Sequence, residues 1–172
     1  MRLDSIDIEA FRGIERLTVA LDELTTLIGE PDCGKSSLLR AIGRVLDPRD
    51  PDALPAFEVA DFHRPGDDEE RRATTLAVTL GLRAGDDDDL AEGLPGADDG
   101  GVSLRVLADR RPEGEPTTTV DLLDRAGVPI EGIDAPALLA RLRRRHPAVI
   151  VGGPRAAIMR GTRERPAVTS RL

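Results

Sequence analysis

The residues with the clearest capacity for chemistry form one eight-residue motif near the N-terminus. It fits the phosphate-binding pattern G-x-x-x-x-G-K-[ST] and consists of Gly29, Glu30, Pro31, Asp32, Cys33, Gly34, Lys35 and Ser36. Lys35 is the only lysine of the chain, whereas the other 23 basic positions are arginine. An ammonium on a flexible stem acts as a point charge between two phosphates, while a planar guanidinium needs a different loop geometry. The alternative to a phosphate-binding loop is a glycine turn followed by a surface lysine.

A loop of this type binds phosphate through its backbone N–H groups and the N-terminus of the helix that follows. Gly29 and Gly34 permit backbone conformations that a side chain would block. We expect Lys35 to bridge the β- and γ-phosphates of a nucleotide and the Ser36 hydroxyl to ligate Mg²⁺. The predicted cofactors are therefore ATP and Mg²⁺. Ser37 is included among the binding residues as part of the helix N-terminus, and not as a second metal ligand.

Cys33 lies inside the motif and has two interpretations. It is either a small side chain packed beside the loop, or a thiol whose pKa the helix terminus lowers and which is therefore sensitive to oxidation. No catalytic residue is assigned from the sequence with the same clarity.

Hydrophobic periodicity places the motif between a strand and a helix. A short apolar and β-branched run at residues 24–28 predicts a buried strand that ends on Gly29, and an apolar stripe at 3.6-residue spacing predicts a helix from about Ser36 to Leu46. Alternation predicts strands at residues 2–10, 16–21 and 74–83. Beyond these we expect strands at 102–108, 117–123 and 148–151, and a helix at 135–145 whose leucines point inward and whose arginines point mostly outward.

The charge is divided unevenly along the chain. Residues 1–102 carry 11 basic and 24 acidic side chains, whereas residues 103–172 carry 13 basic and 8 acidic ones. The basic end favours an acidic partner or nucleic acid, and the acidic part argues against a surface that coats DNA uniformly. A single cysteine excludes an intrachain disulfide, and no apolar run approaches the ~20 residues that span a bilayer. The sequence therefore predicts a cytoplasmic protein with no membrane contact.

Four segments follow from composition. Residues 1–83 form the nucleotide-binding core, residues 84–101 an acidic, glycine-rich loop, residues 102–153 the remainder of the lobe, and residues 154–172 a basic tail with five arginines. The four consecutive aspartates from Asp86 to Asp89 suggest a metal site, but consecutive carboxylates point in different directions, which favours a solvated loop.

The order of these elements resembles the N-terminal lobe of the ABC-type ATPases that act on DNA, the SMC, RecF and OLD group. The resemblance rests on an opening strand, Phe11-Arg12-Gly13, an apolar hairpin, and the motif followed by Ser37-Leu38-Leu39. Within that group the chain is most similar to the OLD-family ATP-dependent endonucleases, because Asp61-Phe62 precedes the turn Pro65-Gly66-Asp67. The fold that the resemblance implies is α/β, a P-loop NTPase lobe with a mixed, partly antiparallel sheet.

The family implies ATP binding, ATP-dependent dimerisation and a role in DNA processing, DNA repair or phage defence. Arg12 occupies the family's Phe-Arg-Gly arginine and is expected near the nucleotide; a surface arginine in a turn is the alternative. The family commonly has asparagine where this chain has Pro31, and proline removes a backbone N–H from the loop, which is expected to weaken affinity.

The resemblance also implies what the chain lacks. No apolar strand ends in Asp-Glu, no glycine-serine signature follows, and Asp121 and Asp124 are the only carboxylate candidates on a strand edge. We therefore expect a truncated or split ATPase that binds ATP without turnover or nuclease activity. We expect it to pair as a homodimer or with a complementing chain, and to reach DNA through the assembled protein. The alternative is a non-hydrolysing interaction module that binds a partner through the arginines at 141–145 or the tail. A P-loop kinase is disfavoured, because the segments after the loop lack βαβ alternation.

Overall fold

The computed structural model describes residues 2–31, 33–66, 68–83, 101–145 and 148. Five strands form one sheet in the order β2-β1-β3-β4-β5, and all four neighbouring pairs are antiparallel. The strands are β1 (Arg2–Phe11), β2 (Ile14–Ala20), β3 (Thr75–Arg83), β4 (Val102–Asp109) and β5 (Thr117–Leu123), and the helices are α1 (Lys35–Val45), α2 (Ala135–Arg145) and a short 3₁₀-helix (Val59–Asp61).

The alternation read from the sequence is the reason that the sheet has one apolar face. In β1 the side chains of Ile6 and Ile8 are buried, while Asp7 between them lies on the opposite, polar face. Because β-strand side chains alternate, the register carries the same division across β3 and β4. The buried residues of α1 and α2 belong to the same hydrophobic core as the apolar face of the sheet.

The predicted helices and paired strands agree with the structure within two residues at each end. Of the stripe predicted for α1, Leu38 and Val45 are buried, whereas Leu39 is substantially exposed. In α2 the inward leucines are Leu138, Leu139 and Leu142, as the sequence predicted.

The prediction of a buried strand at residues 24–28 was wrong. These residues are not paired in the sheet, and the side chains of Leu24 and Ile28 are 88% and 91% exposed. Only Leu27 packs partly against the core. A strand requires a neighbour for its backbone N–H and C=O groups, and no described strand pairs with this segment. The resemblance implied a mixed, partly antiparallel sheet, whereas the described sheet is antiparallel throughout.

The arginines of α2 were predicted to point mostly outward, and Arg143 does not. It is 2% exposed and donates hydrogen bonds from Nε to the Val45 carbonyl oxygen (2.7 Å) and from Nη1 to the Ala53 and Pro51 carbonyl oxygens (2.5 and 3.2 Å). Burial lowers the pKa of the Arg143 guanidinium from its ordinary value. Periodicity cannot reveal this position, because its partners are backbone carbonyls at the end of α1 and in the loop that follows.

The strand predicted at 148–151, the acidic loop at 84–101 apart from Gly101, and the basic tail at 154–172 lie outside the described residues. None of the described helices is long and apolar enough to cross a membrane.

Candidate functional site

The phosphate loop (residues 29–36) bends sharply before it enters α1. Gly34 has a φ of 90°, in the left-handed region, and α1 begins at the next residue. A Cβ at Gly34 would also lie 3.2 Å from Cγ1 of Ile14, and one at Gly29 would lie 2.6 Å from Sγ of Cys33. Conformation and space thus both favour glycine at Gly34, and space favours it at Gly29.

The loop folds around the ammonium of its own lysine. Nζ of Lys35 donates to the carbonyl oxygens of Gly29 (2.8 Å) and Glu30 (2.6 Å) and lies 3.1 Å from Sγ of Cys33. Lys35 is the first residue of α1, so the charge stands beside the N–H groups of the first helical turn, which have no acceptor within the helix. A positive charge, a helix N-terminus and a glycine turn therefore meet at one point on the surface.

Cys33 is exposed and contacts the same ammonium. The hydrogen bond from Lys35 lowers the pKa of the Cys33 thiol from its ordinary value, whereas the sequence suggested the helix terminus as the cause. A lowered pKa means that a larger fraction of the thiol is ionised at a given pH near neutrality.

We expect iodoacetamide to alkylate Cys33 faster in the parent chain than in Lys35→Ala at pH 7.5, because the thiolate is the nucleophile. In a pH series, the midpoint of the alkylation rate should lie lower in the parent than in the variant. Mass spectrometry of the modified chain measures both, and Cys33 is the only thiol. Identical pH profiles would show that Lys35 does not stabilise the thiolate.

Arg12 is held in a strained turn by a buried carboxylate. Its backbone φ is 52°, unusual for a residue with a side chain, and its N–H donates to the Asp61 carbonyl oxygen at 2.7 Å. The guanidinium binds Oδ1 of Asp61 through Nε (2.7 Å) and Nη2 (2.6 Å) and lies 5.6 Å from the ring centroid of Phe11. Nδ1 of His63 is 2.6 Å from the Arg12 carbonyl oxygen.

Asp61 is fully buried and serves two arginines. Besides Arg12 it meets Nη2 of Arg44, which projects from α1, at 3.4 Å, and it accepts the backbone N–H of Glu58 at 3.1 Å. Asp61 thus links the turn between β1 and β2 to the helix that follows the phosphate loop. The sequence singled out Asp61 only as part of a family motif and gave no signal for Arg44.

Asp61→Asn should destabilise the chain by about 2–3 kcal/mol, because charge-assisted hydrogen bonds to a buried carboxylate are lost and Arg12 keeps its strained backbone. Urea unfolding followed by circular dichroism measures the change. Asp52→Asn is the matched control, since Asp52 pairs with Arg144 at the surface and should change stability by less than about 1 kcal/mol. Equal effects of the two substitutions would contradict this account.

The remaining predicted site residues have these positions. Glu30 and Pro31 are exposed in the loop, Ser36 is exposed and Ser37 half-buried in the first turn of α1, and Asp32 lies outside the described residues. Asp121 pairs with Arg105 at 2.9 Å, and Oδ1 of Asp124 accepts two turn amides, from Ala126 and Val128. Both strand-edge carboxylates therefore have structural partners. No group of three or more His, Cys, Asp or Glu in the described part of the chain is placed to hold a metal ion.

The sequence matches one protein family and one relative from Escherichia coli. The family described as "Protein of unknown function (DUF2813)" matches residues 1–170. The "Uncharacterized protein YbjD" of Escherichia coli (strain K12) is 40% identical over 96 residues, which is 56% of this chain but 16% of that protein. The matched region is thus about one sixth of the relative's length.

A solved structure described as "Structural biochemistry of ATP-driven dimerization and DNA stimulated activation of SMC ATPases" superposes with a TM-score of 0.58. The match covers 95% of this chain and 92% of the other, at 17% sequence identity. Similarity at this level shows the fold alone, which this chain shares with that structure.

Proposed function

Since the chain belongs to the DUF2813 family, whose description assigns no activity, we propose a function from the site itself: the chain is the ATP-binding portion of an OLD-like, DNA-processing ATPase. The observation that carries this proposal is the ammonium of Lys35, held at the helix N-terminus by two loop carbonyl oxygens. Phosphate oxygens bear formal charge, so they form stronger hydrogen bonds with this ammonium than carbonyls do. A nucleotide would displace Gly29 and Glu30 from Nζ.

The residues of the loop fit a magnesium ion that arrives with the nucleotide. Mg²⁺ keeps several waters and takes one or two protein oxygens together with phosphate oxygens. Ser36, exposed at the second position of α1, offers one such oxygen. The bound ion would neutralise charge on the β- and γ-phosphates, while Lys35 and the helix N-terminus hold those phosphates in place.

The exposed apolar residues beside the loop support the proposal that a second lobe or partner chain completes the site. Leu24 and Ile28 immediately precede the loop and are almost fully exposed. The solved structure that the chain resembles is described by ATP-driven dimerisation and DNA-stimulated activation. We propose an equivalent pairing here, as a homodimer or with a complementing chain, in which the assembled protein reaches DNA. We also propose a cytoplasmic location, which the single cysteine favours.

The alternative of an interaction module that binds through the arginines of α2 has less support. Arg143 is buried on backbone carbonyls, and Arg144 forms an ion pair with Asp52. The described arginines of α2 therefore do not form a uniform docking face, and the tail, the other surface of this alternative, lies outside the described residues.

Calorimetric titration of the 172-residue chain with ATP and Mg²⁺ tests the proposal. We expect binding without steady-state hydrolysis and without nuclease activity, because Asp121 and Asp124 are engaged elsewhere and transition-state charge needs stabilisation from both sides of the phosphate. Absence of ATP binding would refute the proposal. Robust hydrolysis that disappears in Lys35→Ala would show that the chain carries a complete catalytic site.

A further inference from the structure

A second concave site lies along α1 and is rich in arginine. This arginine pocket is a cavity of about 560 Å³ whose charged lining residues are Arg12, Arg40, Arg44, Asp47 and Arg49. Its volume lies within the roughly 300–1,000 Å³ range of small-molecule sites. Gly43, which also lines it, has no side chain to fill the cavity.

The arginine pocket is separate from the phosphate loop. Gly43, Arg44 and Asp47 lie three, four and seven residues after Arg40, so the four residues share one face of α1 and its C-terminal extension. With a rise of about 1.5 Å per residue, Arg44 is about 13 Å along the helix from Lys35. None of the described residues of the phosphate loop lines the pocket, and Arg40, the lining residue of α1 nearest to Lys35, is about 7.5 Å along the helix from it.

Three of the four guanidiniums are already oriented by carboxylates. The buried carboxylate of Asp61 binds Arg12 and contacts Arg44. The carboxylate of Asp47 accepts hydrogen bonds from two guanidinium nitrogen atoms of Arg49. Ordering these side chains on ligand binding costs little further entropy, because they are already restrained. Each guanidinium has five N–H donors, and the contacts to carboxylates use only some of them.

Arg40 differs from the other three. It is exposed and has neither a hydrogen bond nor an ion pair among the described residues. Of the charged side chains that line the pocket, four are cationic and one, Asp47, is anionic. The lining is thus positive in sum, within a chain whose net charge is −8. Guanidiniums arranged in this way recognise the planar or tetrahedral oxygens of an anion, above all phosphate.

We propose that the arginine pocket is a second anion site, which binds a phosphate group independently of the phosphate loop. The phosphate is carried either by a small molecule of about nucleotide size or by the backbone of a nucleic acid. Arg12 and Arg44 form the fixed part of the site, and Arg40 is the cation that the ligand neutralises. Arg12 is then a binding residue of this pocket. The β1–β2 turn that carries Arg12 leads to Ile14, whose side chain lies beside Gly34 of the phosphate loop.

Binding of inorganic pyrophosphate to Lys35→Ala, measured by calorimetry, tests this proposal without a contribution from the lysine of the phosphate loop. We expect measurable binding, and we expect Arg40→Glu in the same background to weaken it at least about tenfold, the loss typical of a charged hydrogen bond. Arg125→Glu changes the same charge on the exposed turn after β5, outside the pocket, and should leave the affinity within about twofold. Thermal unfolding by circular dichroism confirms that the variants fold.

Two further measurements complete the test. Arg49→Ala, a second lining variant, should also weaken pyrophosphate binding. Competition with pyrophosphate by a 12-nucleotide single-stranded DNA would assign the phosphate to a nucleic acid. Failure of the DNA to compete would assign the phosphate to a small molecule. No pyrophosphate binding at millimolar concentration, or equal weakening by Arg40→Glu and Arg125→Glu, would overturn the proposal. Equal weakening would mean that only the net charge matters.

Discussion

Lys35→Ala is expected to abolish ATP binding at the phosphate loop of the 172-residue chain. The substitution removes the only ammonium from the loop and leaves the phosphates facing the helix N-terminus alone, which should cost about 2–4 kcal/mol of binding free energy. That loss corresponds to about a 30- to 1,000-fold rise in Kd. Calorimetric titration with ATP and Mg²⁺ measures the change.

Lys35→Arg and Arg16→Ala are informative controls. Lys35→Arg keeps the charge but replaces a point charge that fits between Gly29, Glu30 and Cys33 by a planar fork, so it should also bind poorly. Arg16→Ala removes a charge from the exposed surface of β2 and should bind ATP as the parent does. ATP binding by Lys35→Ala with the parent's affinity would refute the assignment of the phosphate loop.

Arg143→Met is expected to cause the largest loss of stability, about 3–5 kcal/mol. Methionine retains part of the apolar stem, but the carbonyl oxygens of Val45, Pro51 and Ala53 lose their donor. The acceptor of Val45 is buried and would carry its full desolvation cost, while the bonds to Pro51 and Ala53 are partly buried. Because Arg143 joins α2 to the end of α1, the substitution should also loosen the contact between the two helices.

The neighbouring position provides the matched control for this prediction. Arg144 is half-exposed and pairs with Asp52 at the surface, so Arg144→Met should cost less than about 1 kcal/mol. Urea unfolding of both variants, followed by circular dichroism, measures the difference. Similar losses for the two variants would show that the carbonyl contacts of Arg143 do not stabilise the fold.

The elements that could be predicted from the sequence are those whose signal is local. Alternation in β1, β3 and β4 reflects a half-buried sheet, and the glycine pattern reflects backbone geometry at Gly34. Both depend on residues within a few positions of one another, so composition and spacing are sufficient to predict them.

The features that could not be predicted depend on contacts between distant segments. Residues 24–28 have the composition of a strand, but a strand also needs a neighbour, and composition does not reveal one. Arg143 contacts carbonyls 90 to 98 positions away, and Asp61 contacts Arg12, 49 positions away. The arginine pocket arises in the same way, since only the fold brings Arg12 beside α1. Whether Arg12 also reaches a nucleotide stays a prediction.

The strand order has a consequence for how the chain folds. β1 lies between β2 and β3, and its pairing with β3 joins Arg2 to Arg83. The phosphate loop and α1 belong to the long segment that this pairing closes. Because closure of such a segment loses chain entropy before native contacts compensate it, sheets built this way form slowly compared with local hairpins. During synthesis the β1–β2 hairpin can form early, whereas the pairing of β1 with β3 can be completed only after residue 83 has left the ribosome.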